Sequence, residues 1–292
     1  MHKAGFVNII GNPNVGKSTL MNGLIGEKLS IATSKAQTTR HRIMGILSGE
    51  DYQIVFSDTP GILQPKYKLQ ETMLKYVEEA LQDADLLLYV TDPHDSKKIN
   101  QEYLDKIKNL SVPIIVAVNK IDTVQQEEVK ILLEQWQKLL PEAEIVPVSA
   151  LHNFNIDKIM SLIIEKLPVS PPYFEKDKLT DKPMRFFIAE IIREKIFLNF
   201  RQEIPYSTQV VVEEYKEFPA ITKIRAIIYV ERESQKPIII GNKGKAIKKI
   251  GTEARKDIEK FIDSKVYLEL YVKVDKEWRN NPSKLRRFGY EI

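Results

Sequence analysis

The 292-residue chain has no cysteine, which excludes disulfide frameworks and thiolate metal centres. Its four histidines, His2, His41, His94 and His152, are scattered without ligand spacing. No apolar run approaches the ~18 residues of a membrane span. The longest are short and strand-like, as in Leu86-Leu87-Leu88-Tyr89-Val90. Met1-His2-Lys3-Ala4 runs straight into the first apolar stretch, which leaves no room for a signal peptide. Internal repeats and low-complexity tracts are also missing. These absences predict a soluble, cytoplasmic protein. The content of 43% hydrophobic and 29% charged residues is that of a globular chain rather than a disordered one.

Charge is unevenly placed. Residues 1–182 carry 21 Lys/Arg against 24 Asp/Glu, whereas residues 183–292 carry 23 against 16. A module of net charge +7 behind one of −3 suggests a polyanionic partner for the second part, with a solvated lysine surface as the alternative.

The most informative stretch is Gly11-Asn12-Pro13-Asn14-Val15-Gly16-Lys17-Ser18, a G-x-x-x-x-G-K-[ST] motif leading into Thr19. It follows the apolar run Phe6–Ile10 and precedes a helical pattern over Lys17–Ile25, the strand–loop–helix setting the motif requires. Successive N–H groups of such a loop wrap a β-phosphate, and the helix adds the positive end of its dipole. Lys17 can reach the β- and γ-phosphates, and Ser18 can place a hydroxyl on Mg²⁺. The motif predicts a bound nucleoside triphosphate.

Around it, strand patterns at Phe6–Ile10, Ile43–Leu47, Gln53–Ser57, Asp85–Thr91, Pro113–Val118 and Glu144–Val148 are interleaved with helical patterns. The helical patterns lie at Lys17–Ile25, Leu69–Leu81, Ser96–Asn109, Gln125–Leu140 and Asn155–Lys166. The alternation predicts an α/β domain: a mostly parallel sheet with helices on both faces, over residues 1–168. Pro168-Val169-Ser170-Pro171-Pro172 and the charged stretch to Pro183 mark a linker at 169–183. A smaller α+β module occupies 184–292. It has a helix carrying Ile188, Ile191, Ile192 and Ile196 on one face, strands at Thr208–Val212, Ile224–Tyr229 and Val266–Val274, and a helix at Ala246–Phe261.

Asn119-Lys120-Ile121-Asp122 selects the base. Asp122 can accept from both guanine N1–H and the N2 amine, a donor pair that adenine lacks, so the wrong base leaves a carboxylate unpaired. Asn119 would tie this loop to the phosphate loop, and the Lys120 stem would cover the base. Ser149-Ala150-Leu151 follows the last strand and would complete the pocket, the Ala150 N–H meeting guanine O6. Asp58-Thr59-Pro60-Gly61 supplies Asp58 toward Mg²⁺, through water, and a Gly61 N–H for the γ-phosphate. Thr38-Thr39-Arg40 supplies a threonine, Thr39, as a further Mg²⁺ ligand. The expected metal set is Ser18, Thr39 and Asp58, and the expected catalytic set is Lys17, Asn14, Thr39 and Gly61. Ile62 stands where Ras-type enzymes place a water-orienting glutamine, which predicts slow intrinsic hydrolysis. Asn14 has two readings: its carbonyl could ligate a monovalent cation such as K⁺, or it could only shape the turn after Pro13.

In the second module the signal is Ile240-Gly241-Asn242-Lys243-Gly244-Lys245, running on through Ile247 and Lys248. A G-x-x-G loop between helical segments lets backbone lie against consecutive phosphates, the K-homology device for gripping about four nucleotides of single strand. Asn242 and Lys243 would meet the RNA backbone, with isoleucines lining a groove for bases. Lys245, Lys248, Lys249, Lys256 and Lys260 could instead be a solvated face.

Taken in order, these motifs resemble the bacterial Era GTPases over nearly the whole chain. The likeness extends to Gln37–Ile43, Glu190–Lys195, Ile204–Ser207 and the ending Leu285–Tyr290. The resemblance implies a P-loop GTPase domain followed by a K-homology RNA-binding domain. It implies a GTPase of small ribosomal subunit assembly whose K-homology domain binds the 3′ end of the small-subunit RNA, with GTP, GDP and Mg²⁺ as ligands. A hydrophobic residue at the place of Ile62 is a family feature that agrees with K⁺ near Asn14. A monomer is expected, and peripheral contact with the inner face of the cell membrane stays open. So do two rival readings: a nucleotide-stabilised RNA scaffold without turnover, and a GTPase whose tail binds protein or membrane.

Overall fold

The computed structural model describes residues 1–94 and 100–291. The chain divides into two compact units, one formed by Met1–Gln64 and Met73–Asp181, the other by Pro65–Thr72 and the residues from Lys182 on.

The first unit is built on six strands, β1 (Lys3–Ile10), β2 (Ile43–Ser48), β3 (Tyr52–Asp58), β4 (Leu86–Thr91), β5 (Ile114–Val118) and β6 (Glu144–Pro147). Their spatial order is β2-β3-β1-β4-β5-β6. Only β2 runs antiparallel, against β3; the remaining pairs are parallel. β4 is buried at every position, as a near-continuous apolar strand covered on both faces must be. The helices packed on this sheet are α1 (Lys17–Ile25), α2 (Lys68–Gln82, whose residues 68–72 belong to the second unit), α3 (Gln101–Lys108), α4 (Gln126–Leu139) and α5 (Ile156–Lys166). The described part of the helix expected at Ser96–Asn109 begins at Gln101, with Asn100 accepting from the Glu102 N–H as its N-cap; residues 96–99 lie outside the described set.

The stretch expected as a linker runs along this sheet: the Ala4 N–H of β1 donates to Pro168 O at 3.2 Å, and residues 173–180 bond to β3 and β2. Gln53, fully buried, accepts from the Tyr173 and Phe174 N–H groups. The Ile46 N–H donates to Leu179 O at 2.8 Å, and Thr180 Oγ1 donates to Met44 O at 2.6 Å. An edge strand covered in this way offers few free backbone groups to other chains.

The second unit contains α6 (Met184–Asn199), β7 (Thr208–Phe218), β8 (Ile221–Val230), α7 (Gln235–Ile240), α8 (Lys245–Ile262), β9 (Val266–Val274) and α9 (Pro282–Arg287). The sheet order is β7-β8-β9, with β7 and β8 antiparallel and β8 and β9 parallel through α7 and α8. Ile188, Ile192 and Ile196 of α6 meet Ile250, Ala254 and Ile258 of α8 in the core. β7 and β8 run longer than their apolar patterns, because their outer halves are polar and paired across strands, as in Glu214 with Arg225. α6 also buries charge: Arg193 donates to Glu190 at 2.5 Å, and Lys195 pairs with Glu194 at 3.0 Å and with Asp257.

Candidate functional site

The chemistry-bearing residues collect beyond the carboxyl ends of β1, β3, β4 and β5, where ligands bind in open α/β sheets. β1 ends at Ile10 and α1 begins at Lys17, so the intervening loop must reverse within six residues. Asn14 and Gly16 do this with φ of 67° and 96°. Pro13, Asn14, Gly16, Lys17, Ser18 and Thr19 line a pocket of about 260 Å³. Lys17 is 6% exposed and its ammonium donates to Gly11 O at 3.0 Å and Asn12 O at 2.9 Å, which holds it inside the loop.

Opposite, Ser18 Oγ lies 2.8 Å from Thr39 Oγ1 and 2.6 Å from Asp58 Oδ2, with Thr39 Oγ1 at 3.3 Å from the same oxygen. Thr38 turns the other way, onto Thr33 Oγ1 and Lys35 O. Asp58 is fully buried, and burial raises its pKa above the ordinary carboxylate value, against the hydrogen bond from Ser18 and the charge of Lys17. Asp58 Oδ1 has no hydrogen-bond partner among the described residues. Two hydroxyls around a buried carboxylate with a spare oxygen fit a Mg²⁺ ion that keeps several waters and takes its other ligands from phosphate. Gly61 lines the same pocket, and the Ile62 N–H donates to Gly11 O at 3.1 Å, so the segment after β3 is tied to the phosphate loop. Ile62 itself is buried in the apolar core.

The base side is organised by Asn119. Its Nδ2 donates to Val15 O at 2.8 Å and its Oδ1 accepts the Ala150 N–H at 2.9 Å. The N–H expected to face guanine O6 is thus held by Asn119. Asp122 Oδ1 accepts from Ser149 Oγ at 2.6 Å, which fixes the carboxylate plane, and Oδ2 lies 3.9 Å from His152 Nε2. Leu151 is largely exposed at the rim. Lys120 takes φ of 60° and its ammonium donates to Asn14 O and to Asp92 Oδ2. Asp92 and His152 were not among the sequence candidates. Asp92 directly follows the apolar β4, the position that Asn119 holds after β5 and next to that of Asp58 at the end of β3, and that was the available signal.

In the second unit Gly241–Gly244 forms a tight turn between α7 and α8, closed by Gly244 N–H to Gly241 O at 3.1 Å. Asn242, Lys243, Lys245 and Lys248 are exposed. A groove of about 390 Å³ runs between α8 and β9, lined by Ile247, Lys248, Thr252, Arg255, Tyr267 and Leu270. Ile240 is not on this groove; it packs partly against the core. Arg255 and Tyr267, a cation and an exposed ring beside an apolar floor, add the stacking and charge that single strands require.

A pocket of this make on such a sheet defines a P-loop GTPase, and the module behind it a KH domain. Family models described as "50S ribosome-binding GTPase" and "KH domain" match residues 6–120 and 203–279. The chain is 45% identical over 293 residues to the GTPase Era of Clostridium kluyveri, covering 100% of both. It is 44% identical to that of Staphylococcus haemolyticus, covering 99% of this chain and 97% of the relative. A crystal structure of Era with MgGDPNP and nucleotides 1506–1542 of 16S ribosomal RNA superposes with TM-score 0.95 at 42% identity, over 100% of both chains. A variant of Aquifex aeolicus Era bound to GDP·AlF4⁻ gives 0.94, also at 42%, over 99% of this chain and 100% of that one. The chain belongs to the Era family and is a GTPase. Among its described residues no helix is long and apolar enough to cross a membrane.

Proposed function

We propose that the chain is a cytoplasmic, monomeric GTP-driven switch that binds the 3′ end of small-subunit ribosomal RNA and assists assembly of the small ribosomal subunit. Its nucleotide domain would span 1–168, its linker 169–183 and its KH domain 184–292. One observation carries the reading: Thr39, from the loop ahead of β2, reaches both Ser18 and Asp58. That loop is thereby placed to register whether a γ-phosphate and its ion are present.

Guanine would sit against Asp122, with the Lys120 stem over its face. Lys17 and the loop N–H groups would hold the β- and γ-phosphates, so that catalysis is positioning plus electrostatics. Ser18, Thr39 and, through water, Asp58 would hold Mg²⁺, which neutralises phosphate charge when bound. With Ile62 buried away from the water, Asn14 is the residue we assign to a K⁺ ion beside the phosphates. The KH groove would take single-stranded RNA with Gly241–Gly244 against its backbone, as the related structure's RNA complex supports.

The deciding experiment is GTP hydrolysis in KCl and in NaCl, with and without a short single-stranded RNA, for wild type and Gly244→Asp. RNA stimulation that Gly244→Asp abolishes, and faster turnover in KCl, are expected. Hydrolysis indifferent to RNA and to the substitution would reduce the function to the nucleotide domain. Vesicle flotation decides whether the inner membrane face is a second partner.

A further inference from the structure

Asp92 has no part in the proposed chemistry, yet its side chain is only 7% exposed and pairs with Lys120, which lines the pocket. It follows β4 directly, and its two oxygens have different tasks. Oδ1 accepts the His94 N–H at 3.0 Å, which fixes the carboxylate on its own turn. Oδ2 accepts from the Lys120 ammonium at 2.6 Å. The same ammonium also donates to Asn14 O at 2.5 Å. A single cation therefore joins the turn after β4, the base loop and the phosphate loop.

Lysine carries a point charge on four freely rotating methylenes and does not choose a conformation unaided. Only when its head is pinned does the stem lie in a fixed plane where a base can rest. Lys120 has a left-handed backbone, at φ of 60°, which a lysine does not adopt by local preference alone. The carboxylate fixes the ammonium, and the ammonium holds the Asn14 carbonyl.

We propose that Asp92 is a positioning residue for guanine-nucleotide binding: it pins Lys120 across the base and, through Lys120, holds Asn14 in the phosphate loop. The inference rests on the reading of this pocket as the GTP site. Because the brace touches base loop and phosphate loop together, it acts on GTP and GDP alike. Because Lys120 bears on the base face rather than its edge, it affects affinity more than the choice between guanine and hypoxanthine.

The test is a double-mutant cycle on the full chain, read by fluorescent GDP and GTP titration and by the GDP release rate. Its variants are Asp92→Asn, Lys120→Met, the double substitution and Asp92→Glu. Asp92→Asn is expected to weaken both nucleotides by about tenfold, the size of one charge-assisted hydrogen bond, mainly through faster release. The double variant should be no worse than Lys120→Met, and Asp92→Glu should restore part of the affinity. Thermal melting without nucleotide should place Asp92→Asn close to wild type, which separates positioning from folding.

Multiplying losses in the double variant, or wild-type release from Asp92→Asn, would overturn the proposal while leaving the pocket assignment intact. Failure of wild type itself to bind guanine nucleotides would remove both.

Discussion

A Cβ placed on Gly16 would lie 2.2 Å from Asn119 Nδ2, so the phosphate loop and the base loop meet at a point where one methyl group does not fit. The same Asn119 side chain joins Val15 to Ala150. Gly16→Ala would therefore push Asn119 out of both bonds and strain a backbone at φ of 96°. Strain and lost bonds together cost about 2–4 kcal/mol, or roughly 30- to 1000-fold in Kd, for GTP and GDP alike. Titration with fluorescent GDP checks this, alongside a melting curve showing that the fold persists. Affinity within threefold of wild type would mean that Asn119 has another place to go.

Thr39 and Ser18 make a different kind of pair. Their hydroxyls are 2.8 Å apart, but Ser18 sits at the start of α1 while Thr39 belongs to the loop before β2. Ser18→Ala should weaken both nucleotides in Mg²⁺, and chelation with EDTA should erase most of its difference from wild type. Thr39→Ala should leave GDP affinity within about twofold and slow hydrolysis by about 100-fold or more, since one oriented donor or ligand contributes roughly that much to a transition state. Equal losses of GDP and GTP affinity in Thr39→Ala would place Thr39 in the resting pocket rather than in the switch.

Stability at high pH turns on Lys195. Burial alone would lower its pKa, but bonds to the Asp257 and Glu194 carboxylates raise it above the ordinary lysine value of 10.5. With the folded value above the unfolded one, the contribution to stability is complete below the unfolded pKa and is lost as pH climbs through the folded one. Lys195→Met should destabilise by about 3 kcal/mol near neutrality, because it removes the ammonium that lies 3.0 Å from the buried Glu194 carboxylate. Denaturant midpoints between pH 7 and about 11 would show the wild type losing part of its margin while Lys195→Met changes less. Parallel pH profiles for the two proteins would refute the assignment.

The first unit was legible in the sequence because its signals are local and mutually consistent. Apolar strands such as Leu86–Thr91 are buried on both faces, and the phosphate-loop and Asn119–Asp122 motifs sit on turns that follow such strands. What escaped notice depends on side chains that meet only after folding. Asp92 carries no motif, and its meaning comes from Lys120, 28 residues on. The stretch read as a linker looks like one by composition, yet its backbone groups find Gln53 on β3 and Ile46 on β2. α9 is six residues long, too short for a periodic pattern, and is fixed by the Asn281 cap and by burial of Leu285. In the KH module the G-x-x-G turn was readable, whereas Arg255 and Tyr267 reach the groove from α8 and β9 and share no spacing with it.

Arg279 bears on the segment that follows Asp58-Thr59-Pro60-Gly61. Within the second unit, its guanidinium lies 4.7 Å over the Tyr67 ring and pairs with Glu231, and its carbonyl accepts the Leu69 N–H at 2.9 Å. Asn280 Oδ1 accepts the Lys68 N–H at 3.3 Å. Residues 67–69 thus make contacts with the C-terminal end of the KH module. A planar guanidinium can stack and pair at once, which an ammonium does less well. Arg279→Ala is expected to reduce RNA stimulation of GTP hydrolysis several-fold, with unstimulated turnover, GDP affinity and RNA affinity each within about twofold of wild type. Arg279→Lys should fall between, keeping the pair with Glu231 but not the stacking. Because Glu231 is mostly buried, Arg279→Ala also forfeits about 1–3 kcal/mol of stability, so rates are compared well below its melting temperature. If RNA affinity drops in step with stimulation, Arg279 acts through the RNA surface.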